Sequence, residues 1–198
     1  MLDTHARRYI QPVFDKTGKL IYNLGMTPNQ LTVLALVSGV GSGVSFYFGQ
    51  SLLAVALLWL SGLLDVLDGS VARLSNSSSA FGGFMDLIFD RTVETVVIIS
   101  YGLVYPDSLL ALVVLLSSIV FCISIFLSVG AIAEKRGMKE FYHQAGVTER
   151  TETFIFFTLF FLFPGFRIFW IFLFAGLTYF TGLQRFIEAY RLFGREEN

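Results

Sequence analysis

The sequence predicts an all-α membrane protein with six transmembrane helices and an N-terminal amphipathic helix. Of its 198 residues, 55% are hydrophobic and 15% are charged, whereas soluble domains are about half apolar and about a quarter charged. Residues 20–64 and 108–133 contain no charged side chain, and about 20 apolar residues are enough to cross a bilayer. This composition argues against a soluble globular domain.

The amphipathic helix is predicted within an N-terminal arm, residues 1–28. Apolar residues recur there near helical spacing, at Ile10, Val13, Phe14, Ile21 and Leu24. Basic residues occupy other positions around the helix. We therefore expect this helix to lie in the membrane interface, and we expect residues 29–198 to form the transmembrane domain.

The six predicted spans are separated by recognisable start and stop signals. Thr27, Pro28 and Gln30 are typical of a helix start, so the first span is predicted from residue 29 to about Phe48. The next three spans are predicted at about 52–74, 82–104 and 108–133. Residues 153–190 hold two more, separated by a break at Phe163-Pro164-Gly165.

The distribution of Lys and Arg predicts the orientation. Nearly all of these residues lie in the N-terminal arm, the 2–3 loop, the 4–5 loop and the C-terminal tail, whereas the opposite loops contain only Arg167. Short loops rich in Lys and Arg stay in the cytoplasm. We expect a multi-pass protein of the cell membrane with both termini, and the acidic cluster described below, toward the cytoplasm.

Two further compositional features exclude other classes of protein. The net charge of -1 gives no support to nucleic-acid binding, which would require a clustered basic surface. A single cysteine, Cys122, excludes a disulfide framework or a thiolate metal site within the chain.

Four aspartates lie unexpectedly near the ends of two predicted spans. Asp65 and Asp68 are spaced i, i+3, and Asp86 and Asp90 are spaced i, i+4, so each pair lines one helix face and can meet the other pair across the 2–3 turn. Four close carboxylates cannot all stay ionised without a positive partner. Oxygen ligands select hard cations such as Mg²⁺, Mn²⁺ or Ca²⁺, and two metal ions are the natural solution.

Three roles besides a catalytic metal centre stay open for this cluster. The aspartates could be protonated or paired with Arg73 and Arg91 in a structural role, although ionisable groups inside a membrane are costly and usually functional. The cluster could instead be the ion site of a small cation-coupled transporter. No inverted repeat of the Asp-rich segment is visible in residues 108–198. A structural subunit would not need four convergent carboxylates.

The spacing of these residues resembles a family signature. Asp65-x2-Asp68-Gly69-x2-Ala72-Arg73-x8-Gly82-x3-Asp86-x3-Asp90 is similar to the motif of the CDP-alcohol phosphotransferases at every fixed position. The chain looks most like the prokaryotic phosphatidylinositol phosphate and phosphatidylglycerol phosphate synthases. The resemblance implies a homodimeric enzyme of phospholipid biosynthesis that moves a phosphatidyl group from CDP-diacylglycerol to a small polar, phosphorylated alcohol and releases CMP.

The resemblance also implies roles for the four aspartates. Asp65, Asp68 and Asp86 would be ligands of a centre of two Mg²⁺ or Mn²⁺ ions. Asp90 would also belong to the metal site, near the second metal, and would accept the proton of the attacking hydroxyl. Such a centre can neutralise a pyrophosphate and polarise the attacked phosphorus, and a carboxylate beside it can act as the base.

The CDP donor would be bound by residues on both sides of the aspartates. These are Asn29, Thr32, Gly69, Ala72, Arg73, Ser79 and Gly82. Arg73 offers a planar fork of donors to a phosphate, and a helix start near Gly82 suits anionic oxygen. Each of these residues has a structural alternative. Arg73 could snorkel to the interface, and Gly69 and Ala72 could serve close helix packing. Ser79 and Gly82 could lie in a plain polar loop, and the entry to the first span could be an ordinary helix cap.

The alcohol would be bound from the 4–5 loop. Lys135 and Arg150 are the candidate residues, with Arg136 and Lys139 nearby. Gly146-x2-Glu149-Arg150 resembles a segment of the phosphoinositol branch of the family. However, Ile132 stands where that branch usually has an arginine, and positive-inside charge also accounts for the basic set. The identity of the alcohol therefore stays open.

Overall fold

A computed structural model describes residues 2–135 and 146–193. Across these two ranges the chain is helical, with no strand, which confirms the all-α prediction. The helices are α1 (Leu2–Asn23), α2 (Pro28–Tyr47), α3 (Ser51–Leu74), α4 (Ala80–Val104), α5 (Leu109–Lys135), α6 (Arg150–Leu162) and α7 (Arg167–Phe193). Short 3-10 helices, Pro106–Ser108 and Pro164–Phe166, precede α5 and α7.

The chain is a multi-pass membrane protein, as its long apolar helices indicate. Among the described residues, four segments are long and apolar enough to cross a bilayer: Pro28–Tyr47, Ser51–Leu74, Pro106–Ala133 and Pro164–Phe193. They correspond to the first, second, fourth and sixth predicted spans.

The third and fifth predicted spans form helices α4 and α6, but neither is both long enough and apolar enough to be one of these four segments. α4 has 25 residues, but its first 15 residues contain four charged side chains, those of Asp86, Asp90, Arg91 and Glu94. α6 has 13 residues, which gives a length of about 20 Å against a hydrocarbon core of about 30 Å. The count of six spans therefore stays a prediction, as does the interfacial position of α1.

The predicted start of α2 is confirmed in atomic detail. The side chain of Thr27 accepts a hydrogen bond from the backbone N–H of Gln30 (3.3 Å), and the Gln30 side chain accepts one from the backbone N–H of Thr27 (2.9 Å). This capping box satisfies two of the N–H groups that a helix start leaves without partners. Gly25 (φ 81°) and Gly49 (φ 78°) make the turns before and after the helix, in a region that favours glycine.

Residues 6–107 and 157–162 form one compact unit, here called the amino-terminal unit. In it α2 packs against both α3 and α4. Gly39 allows the close approach to α4, because a Cβ atom there would overlap the side chain of Val93. The buried hydroxyls of Ser42 and Ser61 donate to the carbonyls of Ala54 and Ala35 (both 2.7 Å), which joins α2 to α3.

The described parts of 108–156 and 163–193 belong to a second compact unit, here called the carboxy-terminal unit. In it α5 packs against α7, and the hydroxyls of Ser117 and Tyr179 lie 2.7 Å apart. Gly182 of α7 faces the ring of Phe121, 2.8 Å from where a Cβ atom would lie. Buried aromatic side chains such as Phe156 and Phe174 and buried hydroxyls such as those of Ser118 and Thr181 both contribute to the interior of this unit.

Candidate active site

Three of the four aspartates come together in the amino-terminal unit. Asp65 and Asp68 lie near the end of α3, and Asp86 lies near the start of α4. One carboxylate oxygen from each lies within 4.8 Å of the others. Asp68 is buried, and Asp65 and Asp86 are half-buried. The short connection from α3 to α4 brings the two ends of the motif to one place.

The carboxylate oxygens of this group fit a hard divalent cation as ligands. Oδ1 of Asp86 is buried and accepts no hydrogen bond from the described residues. A buried carboxylate oxygen without a partner, next to two other carboxylates, is strongly destabilising. A divalent cation removes this penalty, because anionic oxygens are the ligands that Mg²⁺ and Mn²⁺ prefer.

Asp90 is not part of the three-aspartate group. It lies one helical turn after Asp86 on α4 and is half-buried. The i, i+4 spacing keeps both side chains on the same face of the helix. The structure thus groups three close carboxylates, and the fourth lies one turn further along α4.

Thr32 of α2 contacts the cluster through Asp68. Its hydroxyl lies 2.6 Å from Oδ2 of Asp68 and 3.0 Å from the carbonyl of Pro28. A hydroxyl carries one proton, and the shorter contact to a carboxylate is the stronger one. Sequence reasoning placed Thr32 at the donor and missed this bond, since no local pattern links residues 36 positions apart.

Arg73 folds back along α3 toward the aspartates. Its Nη2 donates to the Ser70 hydroxyl (3.1 Å), and its Nη1 lies 3.5 Å from where a Cβ atom of Gly69 would be. Arg73 itself is exposed, and Ala72 is half-buried. The guanidinium group of Arg73 thus lies next to Gly69.

The first turns of α2 and α4 lie side by side. Ser79 caps α4, because its hydroxyl accepts a hydrogen bond from the backbone N–H of Gly82 (3.0 Å). A Cβ atom on Gly82 would lie 3.7 Å from Oδ1 of Asn29. Three of the predicted donor-binding residues, Asn29, Ser79 and Gly82, are thus neighbours.

The predicted acceptor residues belong to the carboxy-terminal unit. Lys135 is the last residue of α5, and Arg150 is the first residue of α6. The guanidinium group of Arg150 lies 5.5 Å from the centre of the Phe154 ring, which is a cation–π distance. Arg136 and Lys139 lie outside the described residues.

Arg185 of α7 is a basic residue that sequence reasoning missed. Its Nη2 lies 3.4 Å from where a Cβ atom of Gly146 would be. Its guanidinium group lies 5.3 Å from the centre of the Phe126 ring, and its Nη1 lies 3.6 Å from Sγ of Cys122. The signal that could have identified it in the sequence is an arginine within a predicted transmembrane span.

Comparison with known proteins points to one family. The sequence model for CDP-alcohol phosphatidyltransferases matches residues 25–182. The inner membrane protein YnjF of Escherichia coli (strain K12) is 32% identical over 198 residues, covering 96% of each chain. The archaetidylinositol phosphate synthase of Methanothermobacter thermautotrophicus is 29% identical over 191 residues, covering 93% of this chain and 90% of its own.

Solved structures with the same fold belong to the phosphatidylinositol phosphate synthase PgsA1 of Mycobacterium tuberculosis. The structure with CDP-DAG bound has a TM-score of 0.67 and 20% identity, covering 90% of this chain and 94% of that one. The structure with manganese and citrate has a TM-score of 0.70 and 20% identity, covering 89% of this chain and 88% of that one.

These matches decide between the functions that the aspartate cluster left open. The transporter interpretation is wrong, because the family consists of transferases. Family enzymes use divalent metals, in agreement with the donor set of Asp65, Asp68 and Asp86. This membrane enzyme, with its complete aspartate signature and a family match over most of its length, belongs to the CDP-alcohol phosphatidyltransferases.

Proposed function

We propose that this protein transfers a phosphatidyl group from CDP-diacylglycerol to the hydroxyl of a small phosphorylated alcohol, with release of CMP. The observation that carries the proposal is the convergence of Asp65, Asp68 and Asp86 within 4.8 Å inside the family motif. The choice of donor is supported by the PgsA1 structure with CDP-DAG bound. The choice of acceptor class is supported by the archaetidylinositol phosphate synthase relative.

Asp65, Asp68 and Asp86 would hold two Mg²⁺ or Mn²⁺ ions. Support comes from their anionic oxygens, the buried Oδ1 of Asp86 and the manganese in a PgsA1 structure. When bound, the ions would supply charge neutralisation of the pyrophosphate and polarisation of the attacked phosphorus. Thr32 would fix the orientation of Asp68 through its hydrogen bond.

Asp90 would act as the base. The alcohol oxygen forms a bond to the lipid-linked phosphorus, and the bond from that phosphorus to the oxygen of CMP breaks. The proton of the alcohol passes to a carboxylate oxygen of Asp90. Its half-buried position one turn from Asp86 supports this separate role, since a base must be near the reacting atoms.

The donor would bind across α2, α3 and α4 of the amino-terminal unit. Arg73 would bind a donor phosphate with its planar fork, close to the first turns that carry Asn29, Ser79 and Gly82. Thr32, Gly69 and Ala72 complete the proposed donor-binding set. The small side chains at 69 and 72 support close approach of a nucleotide to α3.

The phosphate of the acceptor would bind in the carboxy-terminal unit. We assign this role to Lys135, Arg150 and Arg185. Arg150 and Arg185 are both half-buried, and each rests on an aromatic ring. A guanidinium group presents a planar fork of donors that matches the geometry of a phosphate.

We further propose six spans, an interfacial arm over residues 1–28, a catalytic domain over 29–198, cytoplasmic termini and a homodimer. The distribution of basic residues supports this orientation, and the family resemblance is the basis for the dimer. Reporter fusions after Gly49 and after Asn198 should report opposite sides of the membrane. If both reporters lie on the same side, the six-span topology is wrong. Light scattering of the purified protein measures the oligomeric state.

The function is tested by measuring CMP release. Purified enzyme in lipid nanodiscs is incubated with Mg²⁺ or Mn²⁺, CDP-diacylglycerol and one alcohol at a time: inositol phosphate, glycerol phosphate, inositol or serine. We expect metal-dependent CMP release with a phosphorylated alcohol. Release with serine or free inositol alone contradicts the proposed acceptor class, and no release with any CDP-linked donor contradicts the proposed reaction.

A further inference from the structure

We propose that Ser70 is a positioning residue for Arg73, and that α1 holds Ser70 in place by packing against it at Gly18. The inference rests on the proposed function, in which Arg73 binds a phosphate of the CDP donor. It assigns to the N-terminal helix a part in donor binding, through a contact that involves none of the signature residues except Arg73.

The hydroxyl of Ser70 forms two hydrogen bonds with defined directions. It donates to the carbonyl of Val66 (3.2 Å) and accepts from Nη2 of Arg73 (3.1 Å). A hydroxyl has one proton and can accept through its lone pairs, so both contacts can form at the same time. The bond to Val66 orients the Ser70 oxygen so that it can accept from Arg73.

Ser70 and Arg73 differ sharply in exposure. Ser70 is only 1% exposed, whereas Arg73 is exposed. A long exposed side chain loses rotamer freedom when it binds a ligand, and this loss weakens binding. A buried anchor that already restricts Arg73 reduces that loss. One of the five N–H groups of the guanidinium contacts Ser70, and the planar group keeps other donors for a phosphate.

The contact of α1 with α3 is centred on the same serine. A Cβ atom on Gly18 would lie 3.1 Å from Cβ of Ser70 and 3.6 Å from Cδ1 of Leu74. The first distance is shorter than an ordinary van der Waals contact between carbons, which is about 3.5–4.0 Å. A side chain at position 18 would therefore displace either α1 or Ser70. Glycine at this position lets the backbone of α1 lie directly against Ser70.

The first test removes the hydroxyl. In Ser70→Ala, we expect the KM for the CDP donor to rise about 3- to 10-fold, the range that the typical net contribution of one hydrogen bond gives, with kcat nearly unchanged. Ser61→Ala is the matched control, because it removes another buried hydroxyl of α3, one that donates to the backbone of Ala35. The control should lower the unfolding temperature without changing the donor KM.

The second test moves the anchor without changing any donor-binding residue. Gly18→Ala should raise the donor KM in the same direction as Ser70→Ala. The double variant should show no further increase, because both changes act through one contact. Gly176→Ala is the matched glycine control, since a Cβ atom there has no neighbour within 4 Å.

The outcomes separate this inference from the proposed function. If the wild-type enzyme releases CMP and Ser70→Ala keeps the wild-type donor KM, the positioning role is wrong and the function stands. Equal effects of Ser70→Ala and Ser61→Ala on kcat and stability, without a change in KM, also overturn it. Additive effects in the double variant overturn the link to α1. A wild-type enzyme without CMP release overturns the proposed function, and the inference with it.

Discussion

The side chains that we propose for donor binding and for acceptor binding have different neighbours in the two compact units. In the amino-terminal unit, short hydrogen bonds fix the side chains: Thr32 lies 2.6 Å from Asp68, and Arg73 lies 3.1 Å from Ser70. Each bond determines both the position and the direction of the group it holds.

In the carboxy-terminal unit, arginines rest on aromatic rings. Arg150 lies over Phe154, and Arg185 lies over Phe126. A cation–π contact sets the distance of the charge from the ring but restricts its direction far less than a hydrogen bond does.

This difference matches the two tasks that we propose. Phosphoryl transfer requires fixed geometry, because displacements of about 1 Å at the reacting atoms slow the reaction strongly. Attraction of an anionic alcohol depends mainly on charge. On our proposal, the comparison teaches that the reaction type would reside in the amino-terminal unit and that acceptor selectivity would depend on the carboxy-terminal unit.

The largest effect is expected from the clustered aspartates. Asp65→Asn or Asp86→Asn removes a negative charge from the three-carboxylate group, so both variants should lose detectable CMP release and metal binding. Asp107→Asn, an exposed aspartate before α5, is the matched control. Mn²⁺ binding and CMP release are measured on each protein. Retained turnover in either cluster variant would contradict the metal-ligand role.

A smaller effect is expected at Asp90. If its carboxylate accepts the proton, Asp90→Asn should slow the transfer step roughly 10²-fold, while metal and donor remain bound. Single-turnover CMP release, Mn²⁺ binding and donor binding distinguish these effects. Near-normal turnover, or loss of all metal, would show that Asp90 is not the base.

The next prediction assigns one substrate to each unit. Arg73→Lys should raise the KM for the donor about tenfold, because lysine keeps the charge but loses the bidentate fork. Arg185→Lys should raise the KM for the alcohol by several-fold and leave the donor KM unchanged. Steady-state kinetics with each substrate varied in turn measure both constants. If both substitutions raise the KM for the donor, the assignment of one substrate to each unit is wrong.

The smallest effect is expected from two glycine substitutions that test how rigidly each unit is packed. Gly39→Ala should destabilise the protein by about 1–3 kcal/mol, because the new methyl overlaps Val93, a β-branched side chain that is stiff at χ1. Gly182→Ala meets the ring of Phe121 at 2.8 Å, and this single side chain can rotate away. Thermal unfolding in detergent should therefore show the larger decrease for Gly39→Ala, and the reverse order would contradict the comparison.

Local sequence signals were sufficient to predict where helices begin and end and which aspartates share a helix face. Thr27 and Gln30 form the box that their spacing indicates, and the chain breaks at Pro164 as predicted. Asp65 and Asp68 share a helix face because of their spacing alone. Such features depend on residues within about one helical turn, so they can be inferred from the chain itself.

Long-range contacts could not be inferred in this way. The bond from Thr32 to Asp68 and the approach of Arg185 to Gly146 join residues 36 and 39 positions apart. Their formation depends on how α2 meets α3 and on how α7 packs within its unit.

The turn between α3 and α4 has a consequence for how this enzyme can diversify. Only Ser75–Ser79 separate the two helices, so the proposed metal ligands all lie within the stretch 65–86. Recombination with a breakpoint near 105–107 would pass this stretch on intact and exchange α5, α6 and α7, including residues 157–162 of the amino-terminal unit, for those of another gene. Chimeras built at that junction would inherit the reaction from one parent and, on our proposal, the preferred alcohol from the other.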